Sequence, residues 1–144
     1  MASDELRKPK KIKAKVFLNR RSEERFVLSL PVSLDVLIPE QTFTPRRLTG
    51  KTNDLSAGGM FLTVDDMPQE LYREMIGDPR YVRIAFTDTL NSTEVKVTGK
   101  VIGLDTQVRP GEENALCNLR VSFPKKEGPE IRPYLEFVKH IEPG

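Results

Sequence analysis

Two short polar stretches hold the residue types that are best suited to bind a ligand. Residues 20–25 read Arg-Arg-Ser-Glu-Glu-Arg, residues 54–59 read Asp-Leu-Ser-Ala-Gly-Gly, and each precedes a run of alternating apolar residues. Arginine presents five donors in a planar fork, and carboxylates and hydroxyls supply matching acceptors. Taken singly, the first stretch is also explained by solvated charges and the second by an ordinary turn. Together they indicate binding chemistry.

Residues that could perform catalysis or hold a metal are scarce. The chain has one histidine, His140, and one cysteine, Cys117, so a site of several Cys and His ligands cannot be assembled. Cys117 falls on the apolar side of an alternating run and is predicted to lie in the core, and His140 is predicted at the exposed end of a helix. Carboxylates are scattered, without two in a shared apolar setting. We therefore expect no enzyme activity, no metal and no cofactor.

Composition favours a single cytoplasmic domain. The 144 residues suit one domain, and 38% hydrophobic residues suffice for one modest core. No apolar run approaches the roughly 20 residues that cross a bilayer, and a lone cysteine excludes an internal disulfide. We expect a cytoplasmic protein that does not insert into a membrane.

Positive charge is concentrated near the N-terminus. Residues 1–25 hold nine Lys or Arg against four Asp or Glu, a net charge of +5, whereas the remaining residues have a net charge of −3. Residues 1–19 have little apolar content and are predicted to be a flexible basic tail, followed by one domain over residues 20–144. A nucleic-acid-binding domain usually spreads its cations over a folded face, so we expect no nucleic-acid partner.

The elements that must position the two stretches are mainly strands. Alternation of apolar and polar residues predicts half-buried strands at residues 28–38, 60–64, 82–86, 95–101 and 115–123. A helical period predicts one short helix around residues 67–77 and an amphipathic C-terminal helix with an apolar stripe of Ile131, Tyr134, Leu135 and Val138. About six short strands and a packing helix predict an all-β fold, a closed or nearly closed β-barrel.

In this order and on these elements, the two stretches resemble the signature of the PilZ family. RxxxR in a leading loop is matched by Arg21 and Arg25, and [D/N]xSxxG is matched by Asp54, Ser56 and Gly59. The run Asp-Leu-Ser-Ala-Gly-Gly-Met-Phe and a closing strand that ends in Val-Ser-Phe are also typical of the family. The resemblance covers residues 20–138. It implies a six-stranded antiparallel β-barrel that serves as a bacterial receptor for the second messenger cyclic di-GMP.

The implied ligand suits these residues chemically. Guanine offers its O6 and N7 acceptors to the forks of Arg21 and Arg25, and its N1–H and N2–H₂ donors suit the carboxylate of Asp54. Ser56 can add a hydrogen bond nearby. Gly59 lacks a Cβ, so a base or phosphate can approach its backbone closely.

Arg20 bears on the number of bound ligands. An intercalated pair of cyclic di-GMP molecules carries more negative charge than one molecule and exposes more guanine faces, so it needs a further cation that can stack. Arg20 lies immediately before the RxxxR motif and supplies that cation. We expect the intercalated pair, and a conformational change that signals to a downstream protein which the sequence does not identify.

Two other functions fit parts of the sequence. The first is a PilZ-fold interaction module that does not bind the nucleotide. The second is a small barrel that binds single-stranded nucleic acid. Such barrels use stacking aromatic residues and a basic groove, whereas aromatic residues make up 7% of this chain and Trp is absent.

Overall fold

Strands form most of the protein, as the alternating pattern predicts. The computed structural model describes residues 12–18, 24–37, 47–76, 80–107, 114–124 and 127–143. The strands in these ranges are β1 (Ile12–Leu18), β2 (Glu24–Val27), β3 (Pro31–Leu37), β4 (Arg47–Ser56), β5 (Gly59–Pro68), β6 (Tyr81–Asp88), β7 (Thr93–Gln107), β8 (Asn114–Ser122) and β9 (Ile141–Pro143). The helices are α1 (Gln69–Met75) and α2 (Arg132–Lys139).

Six of these strands close into an antiparallel barrel. The sheet order runs β3-β6-β7-β8-β5-β4, and β4 pairs back with β3, so the ring has no free edge. This confirms the predicted six-stranded barrel with one short and one C-terminal helix. Beyond the ring, β2 pairs with the last part of β4, β1 pairs with β2, and the short β9 runs parallel to β1.

The inward-facing residues of the six strands form the core. Leu34, Leu62, Ile84 and Leu119 are fully buried, and Cys117 lies among them, as predicted. Burial raises the pKa of the Cys117 thiol to about 11, with the negative charge of Asp105 as a second cause. The thiol is therefore protonated at neutral pH.

Helix α2 packs against one end of the barrel. Strands β4, β6 and β8 run in the same direction, so their carboxyl ends lie at that end. Tyr134 and Phe137 of α2 are buried there. The ring of Phe137 lies 4.9 Å from that of Phe86 at the end of β6, and the ring of Tyr134 lies 4.8 Å from that of Phe123 beyond β8. No helix in the described part of the chain is long and apolar enough to span a membrane.

The first predicted strand is shorter than its apolar pattern. Strand β3 begins at Pro31, a position where a missing N–H is tolerated. Before it, the backbone N–H of Leu30 donates to Thr52 Oγ1 at 2.8 Å, and the Thr52 hydroxyl donates to the carbonyl of Leu28. The Thr52 backbone N–H also donates to the carbonyl of Leu30 at 2.9 Å, so this segment is bound to β4 by one backbone bond and by the Thr52 side chain and is not part of a regular strand ladder. Ile38, the last residue of the predicted run, lies outside the described residues.

Four strands were not predicted. Strand β1 lies inside the segment expected to be a flexible tail, and its pairing with β2 and β9 supplies hydrogen bonds that composition does not reveal. The rest of that segment, residues 1–11 and 19, lies outside the described residues. Strand β4 was also missed, because its sequence alternates poorly. Strands β2 and β9 have four and three residues, too few to show a period.

Candidate ligand-binding site

A β-bulge near the end of β4 positions the second motif. Thr52 pairs with Leu62 of β5, but Asp54 pairs with the adjacent Phe61, so one extra residue is accommodated at Asn53. Before the bulge, Thr52 faces the core and is 1% exposed; after it, Leu55 faces the core and is fully buried. The bulge thus directs Asp54 to the outer face of the barrel. The ordinary turn that could by itself explain residues 54–59 is confined to Ala57 and Gly58, between β4 and β5.

The second arginine of the first motif contacts this aspartate. Arg25 lies on β2, and Val27 of the same strand pairs directly with Asp54, so both side chains lie on the outer face. Arg25 Nη1 donates to Asp54 Oδ1 at 2.8 Å, a charge-assisted hydrogen bond between residues 29 apart in the chain. The two side chains are 29% and 17% exposed. Since this bond uses one donor and one acceptor, each group retains hydrogen-bonding capacity for a ligand.

Ser56 and Gly59 pair across the turn that follows. Ser56 is 2% exposed, and its carbonyl oxygen accepts a 2.5 Å hydrogen bond from the hydroxyl of Tyr134 on α2. Burial, and secondarily the charge of Asp54, raise the pKa of Tyr134, so this hydroxyl is a permanent donor. At Gly59, a Cβ would lie 2.7 Å from the carbonyl oxygen of Val121. The close approach of β8 therefore requires glycine at position 59 in the folded chain itself.

Of the six predicted site residues, the structure brings Arg25 into contact with Asp54 and pairs Ser56, whose side chain is buried, with Gly59. The other two, Arg20 and Arg21, lie outside the described residues. In sequence they fall between β1 and β2, whose paired ends are Leu18 and Glu24. Their predicted contacts with the ligand stay predictions.

Two further side chains share this outer face. Phe61 pairs with Asp54 on one side and with Arg120 of β8 on the other, so all three point outward from adjacent strands. The Arg120 guanidinium carbon lies over the Phe61 ring, 5.2 Å from its centroid. Alternation along β8 indicates that Arg120 points outward, but the pairing that sets it beside Phe61 could not be derived from the sequence.

A polar ladder borders this row of side chains. Asn53 Nδ2 donates to Thr63 Oγ1 at 2.7 Å, and Thr63 Oγ1 donates to Asn118 Oδ1 at 3.0 Å. The ladder crosses β4, β5 and β8 and is uncharged. It joins these three strands laterally beside Asp54, Phe61 and Arg120.

A cavity of about 820 Å³ lies on the other side of β2. Glu24 and Phe26, which alternate with Arg25, line it together with residues of α2. Arg25 and Asp54 do not line this cavity, whereas Ala57 in the turn of the second motif does. Among the described residues, no group of three His, Cys, Asp or Glu is placed to hold a metal ion.

Comparisons with known proteins identify a family for this chain. The family model of the PilZ domain matches residues 19–135. A solved structure described as "Crystal structure of PilZ domain of CeSA from cellulose synthesizing bacterium" is 16% identical, and the alignment covers 80% of this chain and 91% of that chain with a TM-score of 0.42. A comparison with the curated proteins found no match.

Proposed function

Because the chain belongs to the PilZ domain family, a family of cyclic di-GMP receptors, we propose that it binds cyclic di-GMP on the outer face of the barrel and signals to a separate protein. The observation that carries this proposal is the contact of Arg25 with Asp54. Arg25 belongs to the RxxxR motif and Asp54 to the [D/N]xSxxG motif. Their side chains lie 2.8 Å apart on an accessible surface.

Each site residue has a defined part in the proposal. Arg25 presents its free donors to O6 and N7 of a guanine, while the second oxygen of Asp54 accepts from N1–H and N2–H₂. A guanidinium that is already held by a carboxylate loses less side-chain entropy when it binds. Ser56 and Gly59 form the edge of the site at the turn after β4. Arg21 serves a second base edge or a phosphate.

Arg20 supplies the third guanidinium for an intercalated pair of ligands. Two stacked cyclic di-GMP molecules bring four phosphates close together. Planar cations that both stack on bases and neutralise phosphates are suited to hold them. We therefore propose two ligands per chain.

Signalling would use the strands on either side of the first motif. Residues 19–23 connect β1 to β2, and β1 also pairs with β9, which follows α2 in the chain. A ligand that draws Arg20 and Arg21 onto the barrel would shift β1, and with it the hydrogen bonds to β9. The surface around α2 would then differ between the free and bound forms, and a downstream protein could distinguish them.

Isothermal titration calorimetry with cyclic di-GMP and cyclic di-AMP tests the proposal. We expect cyclic di-GMP to bind at two molecules per chain and cyclic di-AMP to bind far more weakly. Adenine has an N6 amino donor where guanine has O6 and lacks an N1–H for Asp54. If cyclic di-GMP gives no heat of binding and does not stabilise the protein against unfolding, the proposal is refuted and an interaction module that binds no nucleotide is favoured. Equal affinity for both ligands would refute the roles of Arg25 and Asp54.

A further inference from the structure

Arg120 is held in a defined position on the outer face. Its guanidinium lies over Phe61, 5.2 Å from the ring centroid. On the other side, its pairing partner on β7 is Gly103, where an added Cβ would lie 3.3 Å from Arg120 Cβ and Cδ. The absence of a side chain at position 103 leaves room for the arginine stem. The guanidinium of Arg120 thus lies on the Phe61 ring of β5, and its stem lies beside the backbone of Gly103 on β7, although Arg120 is exposed.

This arginine is in line with the proposed ligand site. Asp54, Phe61 and Arg120 are directly paired on consecutive strands β4, β5 and β8. Neighbouring strands lie about 4.8 Å apart, so Asp54 and Arg120 are separated by about 10 Å of continuous surface. The side chain between them is the ring of Phe61, and the ladder of Asn53, Thr63 and Asn118 borders it. A ligand with two flat bases that contacts Arg25 and Asp54 with one base can reach this surface with the other.

We propose that Phe61 and Arg120 form a stacking platform for a guanine of cyclic di-GMP, and that Arg120 thereby contributes to affinity as a specific planar group. The proposal rests on the proposed function. The guanidinium lies over Phe61, which leaves its opposite side for a purine and its remaining donors for O6 and N7. The Phe61 ring lies beneath the Arg120 guanidinium, 5.2 Å from centroid to Cζ, so a base could stack on the side of the guanidinium that faces away from the ring.

Substitution at position 120 separates stacking from charge. Arg120→Ala removes both the plane and the charge, whereas Arg120→Lys retains the charge but not the plane. Stacking of a base on a side chain accounts for about a five- to hundredfold change in affinity on truncation, so we expect cyclic di-GMP to bind about five- to hundredfold more weakly to both variants. Arg83→Ala is the matched control, because Arg83 is exposed on β6, the strand opposite β5 in the barrel. Its affinity should equal that of the unmodified protein.

The outcomes of the titrations are distinguishable. If the unmodified protein does not bind cyclic di-GMP, the proposed function fails and the platform fails with it. If it binds and Arg120→Ala binds equally well, the platform is wrong and the proposed function stands. Recovery of full affinity in Arg120→Lys would mean that charge alone acts, and an equal loss in Arg83→Ala would mean that net charge acts. Either result would overturn the stacking role.

Fluorescence gives a second test that does not depend on affinity. The chain contains three Tyr and no Trp, so Phe61→Trp introduces a single Trp under Arg120 that can be excited selectively. A guanine that lies on the platform should quench this Trp at saturating cyclic di-GMP. The control is Tyr81→Trp, at a residue that is 46% exposed on β6, and its Trp fluorescence should not change when cyclic di-GMP is added. Unquenched fluorescence in Phe61→Trp at a concentration where calorimetry demonstrates saturation would contradict the platform.

Discussion

The contact between Arg25 and Asp54 predicts a measurable coupling in ligand binding. If the carboxylate holds the guanidinium in position, Arg25→Ala and Asp54→Ala should each weaken cyclic di-GMP binding, and the double variant should lose less than the two single variants together. The loss of affinity caused by removing Asp54 is smaller in Arg25→Ala, because the arginine that Asp54 positions is already absent. A double-mutant cycle isolates this shared part.

The magnitudes follow from the geometry. A bidentate arginine–guanine contact is worth about 1–3 kcal/mol, so Arg25→Ala should reduce affinity about five- to hundredfold. Asp54→Ala removes both an acceptor for guanine and the partner of Arg25. Its loss of affinity should therefore be at least as large as that of Arg25→Ala. The ion pair joins side chains that are 29% and 17% exposed. It should therefore be worth about 0.5–1 kcal/mol, near the upper end for exposed pairs. If all of this energy goes into holding the guanidinium in its binding position, the double variant should bind about two- to fivefold more tightly than additivity predicts, and this range is the upper limit of the coupling.

Calorimetry of the four proteins at one salt concentration measures the cycle. The ion pair of Arg47 with Asp35 is the matched control, since Arg47 Nε lies 3.0 Å from Asp35 Oδ1 but at the start of β4, far along the strand from Asp54. Arg47→Ala and Asp35→Ala should leave the affinity unchanged. Unaltered affinity in Arg25→Ala would refute its contact with the ligand. Strict additivity would refute the idea that Asp54 positions Arg25.

Four further outcomes are expected. Tyr134→Phe leaves the buried carbonyl of Ser56 without its donor, so urea unfolding should reveal a loss of about 1–3 kcal/mol, and a loss below about 0.5 kcal/mol would contradict this role. Cys117 should react with iodoacetamide at pH 8 far more slowly in the folded than in the unfolded protein, because its pKa is raised to about 11. The stability that the protonated thiol contributes is present at neutral pH and is lost as pH rises from about 9 to 11, so the unfolding free energy should decline there more steeply than in Cys117→Ala. Arg20→Leu should lower the calorimetric ratio from two cyclic di-GMP molecules per chain towards one, and a ratio of one in the unmodified protein would refute the paired ligand.

The parts of the fold that could be predicted are those with a regular period. Strands β5, β6, β7 and β8 alternate visibly, and both helices have apolar stripes, so their existence and their buried faces followed from the residues. Tyr134 was predicted on the apolar stripe of α2, but its bond to Ser56 was not. A buried phenol needs a partner for its hydroxyl, and that need was the available signal. The identity of the partner depends on how the helix docks, which is a tertiary property.

The parts that could not be predicted depend on pairing between distant segments. Strand β1 is rich in lysine and reads as a solvated tail, yet its backbone pairs with strands on both sides. The position of Arg120 beside Phe61 depends on the register of β5 with β8, which no local pattern encodes. The resemblance to the PilZ signature implied that Arg25 and Asp54 belong to one site, but the sequence contains no information that they contact each other.

The bulge at Asn53 explains why the second motif can face a ligand at all. Along β4, Leu48 and Thr52 point inward, and uninterrupted alternation would send Asp54 inward as well. A carboxylate in that position would be buried among apolar side chains and would be uncharged or destabilising. One extra residue reverses the alternation, so that Leu55 fills the core and Asp54 meets Arg25 outside. The same irregularity that hides β4 from a period-two search of the sequence therefore creates the acceptor on the barrel surface.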